Sequence, residues 1–373
     1  MKPLTGARPT FPEEDLPRVL ADIGEVLRSG RLILGPKTRE LEEAFAAKVG
    51  TRHAVALTSC TAALEIAYRF ARVSGREVIV PTNTFVATAN AALTAGAEVV
   101  FADIRADDFC ADVDDMIARV TERTAAITVV HIGGFVTRGL DRLIAFCRDR
   151  RIALIEDCAH AHGATLDGKQ VGSFADVGCF SLYPTKIITS GVGGILTTDN
   201  AELAALGRSL RHHGQGASLE EIVHIGNDWL MDEVRAVLGL SQLGHLDEFI
   251  AHRRRVAARY DELLANKPWA TLPRPVAGSR PVYYKYPILV PVGTDRDGLR
   301  RTLLERDRME LGAIYSPPAH LMPVYRNARA EPPARLPVAE SVLPRQLCLP
   351  MHAQIAVPDC DRAVAAVDAL LTG

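Results

Sequence analysis

Short apolar runs alternate with amphipathic stretches through most of the chain, and their periods predict its elements. Residues 14–29 and 38–48 carry helical spacing, with Leu41, Phe45 and Val49 on one face. From position 53 the runs HAVAL (53–57), EVIV (77–80), EVVFA (98–102), AAITVVHI (125–132) and IALIE (152–156) read as strands. TAALEIAYRFARV, FVATANAAL and LDRLIAFCRDR (140–150) read as helices between them. This βαβα order predicts an α/β fold with a large, mostly parallel sheet covered on both faces. The segment 231–265 reads as one long helix linking two domains, with the boundary near 246. Residues 1–245 then form a large domain with a helical N-terminal segment, and 246–373 a smaller α/β domain. In the latter, YYKYPILV (283–290) reads as a strand, and 295–307 and 360–371 as helices.

Composition narrows the class without choosing a function. Hydrophobic residues make up 48% and charged residues 24% of 373 positions, ordinary values for a globular enzyme. A net charge of −2 gives no reason to expect nucleic acid or an anionic membrane as partner. The seven cysteines are scattered with no CxxC pair, which fits free thiols in a reducing compartment and predicts no metal site. The first residues lack the apolar core of a signal peptide, so a cytoplasmic location is the expectation.

The chemistry concentrates around two residues. Asp157 ends an apolar strand, and Lys186 follows a second apolar run, five positions after Ser181 and just before the glycine cluster 191–194. Pyridoxal phosphate (PLP) needs this pair: a carboxylate to keep the pyridine nitrogen protonated and an amine to form a Schiff base with the aldehyde. Taken alone, Asp157 reads equally as a helix N-cap, and Lys186 as a surface lysine. Ser59, Cys60 and Thr61 lie at a strand-to-helix turn, where amides and hydroxyls bind a phosphate or simply cap the helix. Ser181 is a second phosphate donor. Phe85 sits at another such turn, and its ring either stacks on the cofactor or packs in the core. His160 faces the cofactor's ring hydroxyl or satisfies a backbone group. His320, Tyr315 and His213 are weaker candidates for substrate contact.

The ordered set GPKTRELEEAFA, TSCTAALEIA, EVIVPTNTFVATANA, VHIGG, IEDCAHAHGA, GSFADVGCFSLYPTK, LRHHG, YSPPAHLMPVYR and LPVAE…LCLP resembles the DegT/DnrJ/StrS family of PLP-dependent sugar aminotransferases. The resemblance implies fold type I, the aspartate-aminotransferase fold. It implies Lys186 as Schiff-base lysine and proton carrier, Asp157 as the pyridinium partner and His160 beside the ring hydroxyl. Phe85 would stack on the cofactor, and Cys60, Thr61 and Ser181 would surround its phosphate. It also implies a homodimer with shared active sites, and transfer of an amino group from glutamate or glutamine to a keto carbon of a nucleotide-linked deoxysugar. Three positions depart from the family pattern. Val192 stands where glutamate is common, and Leu230 where arginine is. Asp228 aligns with an asparagine that reaches the partner's phosphate, where an ionised carboxylate is repelled by roughly 1 kcal/mol or more. Either Asn227 supplies the amide instead, or Asp228 faces away or is protonated. These departures keep open another PLP reaction, carbon–carbon bond formation or elimination, on a non-sugar substrate.

Overall fold

The computed structural model describes residues 2–218, 220–326 and 335–372. Two helices come first, α1 (Leu16–Ser29) and α2 (Pro36–Val49), each with proline in its first turn and a left-handed glycine after its last. The core strands are β1 (His53–Leu57), β2 (Glu77–Pro81), β3 (Glu98–Ala102), β4 (Thr124–Val130) and β5 (Ala153–Asp157). The helices between them are α3 (Cys60–Phe70), α4 (Val86–Thr94), α5 (Val113–Ala118) and α6 (Leu140–Arg150). The two-residue strands β6 (Thr165–Leu166) and β7 (Lys169–Gln170) precede β8 (Val177–Ser181) and β9 (Gly194–Thr198), and α7 (Ala201–Leu210) follows.

The main sheet has seven strands in the order β1-β9-β8-β5-β4-β2-β3. Only β9 runs antiparallel to its neighbours; β8, β5, β4, β2 and β3 are parallel. Alternate residues feed opposite faces, as the pleat requires. Ala54, Ala56, Ile79, Ile127 and Leu154 enter one core, and Val55, Leu57, Val78, Ala126 and Ile155 the other. The mostly parallel, doubly covered sheet is as the sequence predicts.

The region read as one helix is two, α8 (Glu233–Gly244) and α9 (Leu246–Leu264), separated at His245. Helix α8 also caps α2, because the buried Glu233 carboxylate accepts the amides of Gly35, Lys37 and Thr38. Strand β10 (Ser279–Arg280) pairs with β6 in a small separate sheet. Helix α9 packs on the C-terminal helix Val357–Leu371 and on the two-stranded sheet β11 (Tyr286–Leu289) with β12 (Gln346–Leu349), around Tyr260, Trp269, Ile288, Leu303 and Leu347. Leu4, from the start of the chain, is buried in this same cluster.

The predicted strand 283–290 begins only at Tyr286. Tyr283 is left-handed (φ 49°), and the amides of Val282 and Lys285 bond to Gly134 and Gly133 of the turn after β4, in the large module that carries the main sheet. These bonds tie residues 282–285 to that turn, and 283–285 do not extend β11. No helix among the described residues is long and apolar enough to cross a membrane.

Candidate active site

Every predicted cofactor residue but the pair Asn227 and Asp228 comes from the carboxyl edge of the main sheet or the turns that leave it, where open α/β sheets bind ligands. Ser59 follows β1 and caps α3, its side chain accepting the Ala62 amide. The amides of Cys60 and Thr61 open the helix and have no intrahelical acceptor, a ready site for an anion. Gly194 lies against this turn, and a Cβ there would overlap the Ser59 and Cys60 backbone. Gly194 is in register with both Leu57 and Ser181, so β9 fixes the α3 turn beside Ser181. Burial pushes the Cys60 thiol up, which keeps it neutral.

Asp157 is the last residue of β5 and is 5% exposed. Among the described residues its donors are the Thr88 hydroxyl (2.8 Å) and the Ala159 amide (3.0 Å). Burial pushes this carboxyl above the usual carboxylate range, against the pull of those two bonds and of Lys186. Lys186 is half-buried, and its Nζ lies 4.9 Å from the centre of the Tyr284 ring. Neither Asp157 nor Lys186 has an ion-pair partner among the described residues.

His160 is buried with both ring nitrogens engaged. Nδ1 accepts the Gly133 amide (3.2 Å), so the proton sits on Nε2, 3.0 Å from the Tyr315 hydroxyl. Burial and the nearby Lys186 hold its pKa well below the usual imidazole range, leaving a neutral ring. That ring stacks on Tyr284 at 4.2 Å. Tyr315 is fixed in turn by Asn83, whose Oδ1 accepts the Tyr315 amide while its Nδ2 donates to the Phe109 carbonyl. Phe85 reaches the group through Tyr315, at 5.9 Å between ring centres, and is 56% exposed.

Other predicted residues lie apart. His320 is buried and spends its ring nitrogens on Thr82 (2.7 Å) and Glu340 (3.3 Å), a link between β2 and the segment after Leu336. His213, Asn227 and Asp228 are exposed on the segment that leaves α7. Asn227 accepts the Asp228 amide, and the strip 228–230 runs along the end of β1, bridging Leu230 to Leu57. Val192 is half-exposed. Sequence reading missed Thr88, Asn83, Tyr284 and the Gly133–Gly134 turn. Thr88 sits three residues after Phe85 on the first turn of α4, the spacing that places both at one helix start; Tyr284 was absorbed into a strand pattern and gave no signal.

A second buried polar cluster, His131, Glu156 and Cys158, brings one possible ligand atom from each residue within 4.8 Å of the others, but His131 and Glu156 are already engaged in hydrogen bonds. His131 Nδ1 accepts the Thr137 amide and its Nε2–H meets Glu156 at 3.0 Å. Glu156 also takes the amides of Gly172, Phe174 and Ala175. Although burial pushes it up, these bonds hold its carboxyl below the usual range. The cluster fastens the 172–175 loop under the sheet.

The residues present fit PLP. A buried carboxylate lacks a cation, an amine beside it lacks an anion, a helix start offers open amides, and an aromatic ring stands exposed at the rim. Residues 15–368 match the family described as the DegT/DnrJ/EryC1/StrS aminotransferase family. The chain is 35% identical over 339 residues to a UDP-N-acetyl-3-dehydro-alpha-D-glucosamine 3-aminotransferase of Acidithiobacillus ferrooxidans, covering 90% of this chain and 89% of that protein. It superimposes with TM-score 0.92 on Helicobacter pylori PseC, an aminotransferase of pseudoaminic acid biosynthesis, at 28% identity and 99% coverage of both chains. The TM-score is 0.91 with the PLP form of the sugar aminotransferase Spr1654 of Streptococcus pneumoniae, at 28% identity and full coverage (100%) of both chains.

Proposed function

Because the chain belongs to the DegT/DnrJ/EryC1/StrS aminotransferase family and is a PLP-dependent transferase, we propose that it moves an amino group from glutamate or glutamine to a keto carbon of a nucleotide-linked deoxysugar. The observation that carries this reading is the Asp157–Lys186 pair, converging without ion-pair partners at the carboxyl edge of the sheet. When bound, PLP supplies an electrophilic aldehyde and a ring that accepts electrons once its nitrogen is protonated. Asp157, its oxygens fixed by Ala159 and Thr88, is the carboxylate that would keep that nitrogen protonated. Lys186 Nζ is the amine that would hold the cofactor's aldehyde and, when free, would serve as the positioned acid and base that moves a proton. The neutral His160 ring, whose Nε2–H meets the Tyr315 hydroxyl, would lie beside the cofactor's ring hydroxyl, and the amides of Cys60 and Thr61 with the Ser181 hydroxyl would hold the phosphate. Phe85 covers the ring from the rim. Of the candidates for substrate contact, Tyr315 lies at the site and His213 is exposed apart from it, while the ring nitrogens of His320 are taken by Thr82 and Glu340, which counts against that role.

The working unit in this reading is a homodimer. Exposed apolar side chains on α1 (Leu20, Leu27) and on the 222–225 segment (Ile222, Val223, Ile225) supply surface for a second copy. Asn227 and Asp228, exposed beside the latter, then reach the partner's site. All seven cysteines are free and buried, which supports a reducing, cytoplasmic setting.

The test is to load the protein with PLP and add glutamate alone. Conversion of the cofactor to its pyridoxamine form with release of 2-oxoglutarate is expected, followed by recovery on adding a keto sugar nucleotide. A cofactor band unmoved by glutamate, glutamine or any other amino donor overturns the reading.

A further inference from the structure

Tyr284 gathers more of the site's contacts than any residue the reaction obviously requires. Its ring stacks on His160 at 4.2 Å. Two ammonium groups approach the same ring, Lys186 Nζ at 4.9 Å and Lys285 Nζ at 5.3 Å from its centre. Its hydroxyl pairs with Thr185 Oγ1 at 3.2 Å, so the residue before Lys186 is tied to the edge of the ring that Lys186 overlies. The backbone of Tyr284 is clasped by the large module: Val282 and Lys285 donate to Gly134 and Gly133 on either side of it. Gly133 in turn donates to His160. Gly134 is left-handed (φ 91°), and a Cβ there would stand 2.9 Å from the Tyr284 nitrogen. One two-glycine turn therefore sets the relative positions of His160 and Tyr284.

A half-buried ammonium without a carboxylate partner needs another source of stabilisation. The negative face of an aromatic ring supplies it, most strongly where water is scarce. We propose that Tyr284 is a positioning residue for Lys186: its ring seats the Lys186 amine, and Thr185 locks ring and lysine in register. This inference rests on the cofactor reading above, because it assigns the seat of the amine that the reading uses. The charged and titratable groups facing the ring are Lys186, Lys285, Arg253, His160 and Tyr315, with Asp157 beyond Tyr315. Burial pushes the Tyr284 phenol up, yet the two lysines, the Thr185 bond and Arg253 outweigh it and hold it below its ordinary value. The ring thus sits in a positive field.

The experiment is a pH titration of the visible absorbance of the PLP-loaded protein, which reports the protonation of the nitrogen that Lys186 contributes. Tyr284→Phe keeps the ring, and its midpoint stays within about half a unit of the native one. Tyr284→Leu removes the ring, and the midpoint falls by about one unit or more, because the cation loses its seat. Should Y284L fail to fold, phenylalanines carrying one, two or three ring fluorines at 284 keep the shape and weaken the ring's negative face stepwise. The midpoint then falls in the same order. Equal midpoints across that series, or a Y284L protein with a lower Tm and an unmoved midpoint, overturn the inference: Tyr284 is then packing only. A native protein with no titrating cofactor band overturns the cofactor reading and this inference together. A native band that titrates, with variants titrating at the same pH, overturns this inference alone.

Discussion

At the scale of single residues, the site is organised by what burial does to charge. Asp157 sits at a sheet edge where its carboxyl is pushed up, an unfavourable place for an anion until a cation joins it. Asp157→Asn removes one partner of that pair. It should weaken PLP binding by about 2 kcal/mol or more, measured as the dissociation constant from absorbance titration. The cofactor-free variant should be no less stable than the native protein. Asp108 shows the same physics outside the site. It is buried, its Oδ1 accepts the Cys110 amide, and its Oδ2 has no hydrogen-bond partner among the described residues, with Arg138 3.8 Å away. Burial, reinforced by Asp107, pushes its pKa from 3.8 up to about 6. The folded state therefore binds the proton more tightly than the unfolded one. Its contribution to stability is complete below about pH 4 and is lost as pH rises through about 6. Compared with Asp108→Asn, the native protein should lose roughly 2–3 kcal/mol between those limits, read from urea midpoints at several pH values. Equal pH slopes in the two proteins refute this.

At the scale of elements, turns rather than helices or strands hold the chemistry. The Gly133–Gly134 turn after β4 is the clearest case, since it meets His160 and the Tyr284 segment at once. Gly134→Ala forces a side chain into left-handed backbone and against Val282 and the Tyr284 amide. The expected loss is about 1–3 kcal/mol in urea unfolding, together with weaker PLP binding, whereas an alanine at an exposed helix position leaves both unchanged. Helix α3 behaves differently. Its N-terminus is useful because β9 pins it: Gly194 packs under Ser59 and Cys60, and the same strand carries the register to Ser181. The short β9, antiparallel among parallel neighbours, is thus the element that brings the proposed phosphate donors from two distant segments together.

At the scale of the whole molecule, the proposed homodimer rests on apolar side chains left in the open. Ile225 is 90% exposed and Leu20 is 66% exposed, with Leu27, Ile222 and Val223 nearby in sequence to one or the other. Sedimentation should find a dimer. Ile225→Asp should raise its dissociation constant at least about tenfold, and activity should fall at concentrations where the dimer is lost. A native protein that sediments as a fully active monomer refutes the shared-site arrangement. Bonds from the 282–285 segment to Gly133 and Gly134 tie it to the turn after β4, so a variant that loosens them should move cofactor affinity as well as stability.

Much of this was legible in the chain. Alternation of apolar runs determined the sheet, its parallel character and most element positions, because hydrophobic period reflects burial directly. Asp157 and Lys186 stood out because a carboxylate ending one apolar strand and an amine soon after another have few bland explanations together. What the chain could not disclose depends on long-range register. Tyr284 is far from Lys186 in sequence, yet the lysine lies over its ring, and only the docking of the 282–285 segment on two glycines decides that. The break at His245, the late start of β11 and the engagement of both His320 nitrogens belong to the same class. Local pattern fixes which residues are buried; the partners they find when buried are set by how distant segments pack.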